Sequence, residues 1–300
     1  MLRSVKIRKA RQTLSGRCAI SVFLYLVLIL VLVGCGPGPK VPVRVCPGLG
    51  ASQQSLSRLK LHSESAVSFR GHGHCRLSYH DAKGKQHKEN FAVKLWANPP
   101  AEVYMQGDVA FNPKGIVLGS NKNEFWLAIR PKEVSSYWWG RWAEQKELLT
   151  LPVSPRILLE AMGVAEIDPE AHWSLSNQGP YDVLSSSDPK GRLLRKIYIY
   201  CCDYLVRKIE YFDKDGKLVV LAELGSYKQV GKEFSVPGYI NVSRVFDDGK
   251  KDSVRIKLSS VKQTQFSQKQ RQVIFSRPAH RGFAHEFVII EGERVEILRQ

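Results

Sequence analysis

Acidic residues are scarce in this chain: 28 Asp and Glu stand against 45 Lys and Arg, a formal charge of +17. The first 34 residues hold no acid at all, yet carry Arg3, Lys6, Arg8, Lys9, Arg11 and Arg17. The main apolar run is residues 19–33, and its length of about 15 falls short of the roughly 20 that a membrane-spanning helix needs. No Cys-x-x-Cys pair occurs, which removes zinc-ribbon and thioredoxin-like chemistry. Gly-x-Ser-x-Gly, His-Glu-x-x-His and a phosphate-cradling glycine loop are also missing, so the chain reads as a non-enzyme with no cofactor. Nucleic acid is not an expected partner either, because no reader motif is present.

A basic segment followed by a short uncharged apolar core has the layout of an export signal. It ends in Leu32-Val33-Gly34-Cys35, a cysteine after a small residue, which resembles the lipobox of a bacterial lipoprotein. The resemblance implies cleavage before Cys35, acylation of its thiol and attachment of the mature N-terminus to a membrane. Several acyl chains anchor stably, since each buried methylene contributes roughly 0.8 kcal/mol. A plain transmembrane anchor with an incidental cysteine is the alternative. Gly36 supplies no acidic retention signal after the cysteine, so the periplasmic face of the outer membrane is the expected location. Loss of six positive charges with residues 1–34 leaves +11, spread along every segment. A diffuse excess of that kind suits anionic lipid headgroups or acidic polymers and argues nothing about fold. Cys46, Cys75, Cys201 and Cys202 fit an oxidising compartment; they allow three pairings, with adjacent Cys201 and Cys202 poorly placed to bond each other.

Residues 36–50 form a Pro/Gly-rich tether. Leu56, Leu59 and Leu61 recur at helical spacing over residues 52–64. From residue 67 to 79 apolar or small residues alternate with polar ones, the mark of a long half-buried strand. The alternation continues through Phe91, Val93 and Leu95, then Val103 and Met105, then Phe125, Leu127 and Ile129, which puts Trp126 and Arg130 on the outside. Asn112-Pro-Lys-Gly115 reads as a turn. Pro155 opens and Gly163 closes a second short helix over residues 156–162. Strands resume near residues 181–187, 193–200, 204–212, 218–227, 239–246 and 253–265, joined by Asp188-Pro-Lys-Gly191, Asp213-Lys-Asp-Gly216 and Asp247-Asp-Gly249. Turns this short permit only antiparallel pairing. A mainly β fold follows: a curved antiparallel sheet forming an unclosed barrel, with two short helices over its concave face. A two-sheet sandwich is the alternative. Residues 277–300 are less patterned, and residues 287–290 are an added strand or an interaction segment.

An acylated cysteine, a helix, long strands, the helix Leu151-Pro-Val-Ser-Pro-Arg-Ile-Leu-Leu-Glu160 and a meander containing Val206-Arg-Lys-Ile-Glu-Tyr-Phe-Asp-Lys-Asp-Gly216 occur in that order. This order resembles the LolA/LolB superfamily, whose members carry lipoproteins across the periplasm or receive them at the outer membrane. The resemblance runs from about residue 52 to 265 and implies a half-barrel domain over residues 51–276, preceded by a signal peptide at 1–34 and a lipid-anchored tether at 35–50, with a tail at 277–300. It implies acyl chains of lipoproteins or lipids as partners, held in a cleft lined by Phe69, Leu77, Phe91, Val93, Leu95, Val103, Met105, Phe125, Leu127 and Ile129. Ile157, Leu158 and Met162 would form a lid, and the protein would act as a monomer. The receptor's membrane-engaging leucine corresponds to Lys114, so Lys114, Ile116 and Val117 form the expected membrane loop. The same apolar rows serve equally as a packed core, which makes an envelope interaction protein without a ligand the second reading. Tyr137-Trp-Trp-Gly-Arg-Trp142 reads as a packed strand edge or as an interfacial belt. His72 and His74 share one strand face with His80 nearby and no carboxylate beside them in sequence, so a solvated face is expected there and no metal.

Overall fold

The structure, a computed structural model, describes residues 44–297 except 81–83, 110–111, 132–133, 146–153, 166–170, 247, 280–281 and 292. Cys35, the expected export signal and the apolar run lie outside the described residues. Residues 43–300 form one compact unit. Among the described residues no helix is long and apolar enough to cross a membrane.

Helix α1 (Ser52–Glu64) is followed by a meander: β1 (Phe69–His80), β2 (Gln86–Asn98), β3 (Glu102–Val109), β4 (Asn112–Ser120), β5 (Glu124–Ile129) and β6 (Ser136–Arg141). Helix α2 (Pro155–Ala161) separates these from a second run: β7 (His172–Gln178), β8 (Tyr181–Ser187), β9 (Leu193–Tyr200), β10 (Val206–Phe212) and β11 (Leu218–Gly225). A small hairpin, β12 (Lys228–Gln229) and β13 (Ser235–Val236), precedes the strands β14 (Tyr239–Val245) and β15 (Lys251–Gln263). Helix α3 (Gln268–Ile274), β16 (His285–Ile290) and β17 (Glu293–Glu296) complete the fold. Apart from β12 and β13, all strands join one curved sheet that does not close, in the order β17-β16-β6-β5-β4-β3-β2-β1-β15-β14-β11-β10-β9-β8-β7. The sandwich alternative is thereby set aside. Pairing is antiparallel throughout except where β16 runs parallel to β6.

The central seam is β1 against β15, where the two meanders meet. The alternation of β1 is that of the sequence: Phe69, Cys75, Leu77 and Tyr79 are buried and Arg70, His72, His74 and Arg76 exposed. At Gly73 the register shifts, and a Cβ there would lie 2.0 Å from the Lys257 carbonyl oxygen, so the bulge needs glycine. At Gly107 a Cβ would lie 2.0 Å from the Phe91 ring, so glycine leaves that ring its place against the backbone.

Several expectations need correction. Asn112–Gly115 is not a turn but the start of β4, its Lys114 backbone held by Asp108 Oδ1 at 2.8 Å. Trp126 does face away from the main core, yet it is fully buried, because Phe283 and Tyr137 cover it. The C-terminal segment thus closes the outer side of β4–β6, and β16 extends the sheet. A third helix, α3, went unread because its residues Gln268-Lys-Gln-Arg-Gln carry no apolar period, although Ser267 and Gln270 form a capping box. The tether is not free along its length either. Arg44 ion-pairs with buried Asp182, Leu49 N–H donates to the same carboxylate at 3.0 Å, and Cys46 is disulfide-bonded to Cys202. Leu61 points to solvent, so α1 contacts the core mainly through Leu59 and Leu56.

Candidate functional site

On the concave face the apolar rows of both meanders merge into one core. Three pieces cover it: Leu59 on α1, Ile157, Leu158 and Met162 around α2, and Phe234 with Val236 at the β12–β13 hairpin. Phe234 bridges the first and last of these, its ring 6.3 Å from Phe69 and 5.1 Å from His62.

Nine of the ten expected cleft residues belong to this core: Phe69, Leu77, Phe91, Val93, Leu95, Val103, Met105, Leu127 and Ile129 are all buried in it. Phe125 belongs to a separate cluster, against Ile289 and the Trp142 ring at 4.6 Å. The row is therefore packed in this state. Between Leu77, Phe91, Met105, Ile116 and Leu127 a void of only about 10 Å³ remains, at the lower limit for a single water. A larger cavity, about 50 Å³, lies beside α2, lined by Leu59, His62, Ala161, Met162, Ile197 and Ile209 with Glu160 and Arg195 at its edge. For scale, an apolar cavity of about 150 Å³ is what benzene occupies. Neither space is large enough for an acyl chain with α2 in place.

What holds α2 down is both apolar and polar. Pro155 starts the helix, its fixed φ suiting the first turn, and Ile157, Leu158, Leu159 and Ala161 are buried. Glu160 then reaches from the helix to the sheet: its Oε2 accepts from the Tyr211 hydroxyl at 2.7 Å and from Arg195 at 3.1 Å, and its Oε1 from Arg156 at 3.2 Å. Burial first, and the neighbouring Glu160 charge second, hold the Tyr211 phenol well above its ordinary value, so it stays a donor. Arg195 also stacks over Trp173, 5.1 Å from the ring centroid. Glu160→Ala should lower stability by about 1–3 kcal/mol by orphaning that buried hydroxyl, while raising the access of acyl probes; thermal unfolding and fluorescent fatty-acid binding report the two effects.

His62 joins α1 to the end of α2. A Cβ on Gly163 would lie 2.9 Å from its imidazole. Burial lowers the imidazole pKa from 6.5, with the Ser235 backbone hydrogen bond acting in the opposite direction. The folded state therefore prefers neutral His62. Stability from this group is intact above pH about 6.5 and falls as pH drops through the window below it, because the unfolded chain then binds the proton more readily. His62→Phe should flatten the loss of melting temperature between pH 7 and about 5.

The remaining expected sites fall as follows. Lys114 is exposed with φ +54, but Ile116 and Val117 are buried on opposite faces of β4, which removes them as a membrane-inserting pair. Tyr137 is buried, Trp138 packs on Phe287 and Trp139 under Arg277, so the aromatic run is a packed edge. His72 and His74 are exposed, whereas His80 bonds Asp252 at 2.8 Å. Cys46, Cys201 and Cys202 bring their sulfurs within 4.8 Å, as one disulfide and one thiol. Cys75 is a buried thiol whose pKa desolvation pushes up to about 12. It should resist iodoacetamide at pH 8 in the folded protein and react only on unfolding, as peptide mass mapping would show. Sequence reasoning missed Glu160, Tyr211, Arg195 and His62. Only the Arg156–Glu160 spacing was visible in advance, since the partners on β9 and β10 are distant in sequence.

No protein-family model and no curated protein sequence matches the chain. Among solved structures, a domain from Vibrio parahaemolyticus named for outer-membrane lipoprotein sorting superposes with a TM-score of 0.51 at 13% identity, covering 75% of this chain and 100% of that one. The chain has a LolA/LolB-like fold. A LolA superfamily protein from Nitrosomonas europaea (TM-score 0.47, 14% identity, 76% of this chain and 99% of that chain) is also similar to it. So is a DUF1329 family protein from Desulfovibrio piger, at TM-score 0.47 and 11% identity over 73% and 95% of the two chains. At these identities the likeness is one of fold. Beyond β6 the sheet is extended by β16 and β17, which fall in the stretch expected as a tail.

Proposed function

We propose that this is a cell-envelope lipoprotein, anchored through Cys35, that takes up acyl chains of lipoproteins or lipids beneath α2 and catalyses no reaction. The observation that carries this reading is the construction of α2: a seven-residue helix with five buried residues laid on a continuous apolar sheet face, held by one carboxylate and bordered by a cavity of about 50 Å³. The LolA/LolB-like fold supports it, as does the absence of catalytic motifs from the sequence.

The energetics suit reversible uptake. Lifting α2 exposes side chains worth about 1.5–3 kcal/mol each, so the few large ones cost on the order of 10 kcal/mol. Burying a sixteen-carbon chain in their place returns about 12 kcal/mol at ~0.8 kcal/mol per methylene. Terms this close let an acyl chain replace the helix and leave again. In this scheme Phe69, Leu95, Val103 and their neighbours form the wall that the chain meets once α2 has lifted, and Leu158 is the side chain it displaces. The outer-membrane periplasmic face and a monomeric state belong to the same proposal.

The test is mass spectrometry of lipids that co-purify with residues 36–300 exported into a periplasm. Stoichiometric lipid or lipopeptide supports the reading. An apo protein that also refuses added acyl chains overturns it and favours the envelope interaction protein, a reading for which the filled interior speaks.

A further inference from the structure

Across the outer face of β2, β1 and β15 the pairing register sets positive charges directly opposite one another. Arg76 is paired with Arg255 and Arg70 with Lys262; His74 lies opposite Lys257 and His72 opposite Lys94. Like charges in register on an antiparallel pair are destabilising, and sheets ordinarily interleave them with acids. Here no outward position on any of the three strands carries Asp or Glu. To the side, Arg76 bonds the neutral Asn90 amide at 2.9 Å and Arg255 the Asn241 amide at 3.4 Å; the same Asn241 donates at 2.8 Å to Glu223, an acid of β11 beyond the strip. Lys88 extends the strip along β2 and Lys251 along β15, both exposed. At its margin Trp96, in register with Arg70, packs on Tyr104 with ring centroids 5.6 Å apart, both rings partly exposed.

The geometry points to this strip as a docking surface for the anionic phospholipid headgroups of a bilayer. Its dimensions fit a surface rather than a small ligand, being two interstrand spacings wide, about 10 Å, and about 40 Å long at ~3.3 Å per residue. It lies on the side of the sheet away from the α1–α2 cover. The neighbouring Trp–Tyr pair is the residue type that sits at headgroup depth. On the anchoring proposed above, an acylated Cys35 would bring a membrane to the chain in the first place. Docked this way, the sheet turns its helix-covered side away from the bilayer that holds it, leaving the space beneath α2 open to the aqueous compartment. The strip does not depend on α2 accepting acyl chains.

The experiment is vesicle co-sedimentation of residues 36–300, exported so that the Cys46–Cys202 bond forms. Vesicles of phosphatidylcholine mixed with phosphatidylglycerol are compared with phosphatidylcholine alone. Binding to the mixed vesicles, absent from the zwitterionic ones and weakening as salt rises, is expected. Arg76→Gln with Arg255→Gln should lower vesicle affinity about 25-fold, from roughly fivefold per basic residue near an anionic surface. Both side chains are exposed, and a melting temperature unchanged or raised, as removal of an in-register like-charge pair predicts, verifies the fold. Lys190→Gln with Lys214→Gln, which removes the same charge from two hairpin turns, should leave affinity within about twofold. Equal loss in both double variants would mean that net charge alone binds, and would overturn the assignment. So would tight binding to inorganic polyphosphate or duplex DNA without binding to the anionic vesicles.

Discussion

Leu158→Asp should abolish acyl-chain uptake and detach α2 while the strands persist. Leu158 is 1% exposed at the centre of the concave core, so the substitution removes a buried isobutyl group and puts a carboxylate in its place. Truncation alone costs about 2–5 kcal/mol, and an unpaired buried carboxylate adds several more unless the group leaves for water. Leaving is open to a helix of seven residues joined to the sheet by one carboxylate latch, and is not open to the fifteen-stranded sheet itself. Far-UV circular dichroism should therefore retain its strand signal, and uptake fails because a segment carrying the introduced carboxylate, unlike the apolar helix freed by Glu160→Ala, cannot close again over a bound chain. Leu158→Met, which keeps volume, should cost less than about 1.5 kcal/mol and keep uptake. Loss of uptake in the Met variant equal to that in the Asp variant would count against the lid role.

Cys46→Ser should lower stability by about 3–5 kcal/mol, because the bond it removes closes a loop with a sequence separation of 156. The same bond fastens residues 44–49 to the turn after β9, so the Arg44–Asp182 ion pair should loosen with it. Cys202→Ser is expected to differ. Cys201 is a free thiol whose sulfur lies within 4.8 Å of Cys46, so it can take over the partnership. Non-reducing peptide mapping should find a Cys46–Cys201 bond in the Cys202→Ser variant and most of the stability retained. Equal destabilisation in the two variants would show that Cys201 cannot substitute.

The legible parts of the fold were those whose cause is local. β1 could be read residue by residue because its period of two comes from one buried and one wet face. The hairpin at Asp213 was readable because Asp213 Oδ1 accepts from the backbone of Asp215 and Lys217, both at 2.9 Å, and Gly216 takes the positive φ. The hairpin at Asp188 works in the same way, with Lys190 and Arg192 as donors. Trp126 failed for a non-local reason: its strand alternates correctly, but the cover that buries it comes from Phe283, more than 150 residues away. Phe234 was overlooked for the same reason, since a two-residue strand has no period to read. The candidate site was half visible. The apolar residues of α2 announced a buried helix face, whereas the Glu160–Tyr211–Arg195 contact depends on how β9 and β10 are brought under it.

The most direct test of the account is photo-crosslinking with a diazirine fatty acid, read by peptide mass spectrometry. Labels are predicted on the segment carrying Ile157, Leu158 and Met162 and on the Ile197 and Ile209 strands beneath it, and those on the Ile157–Met162 segment should vanish in Leu158→Asp. Labels confined to exposed residues such as Leu61 and Val273, or no label on the intact protein, would contradict acyl-chain uptake beneath α2.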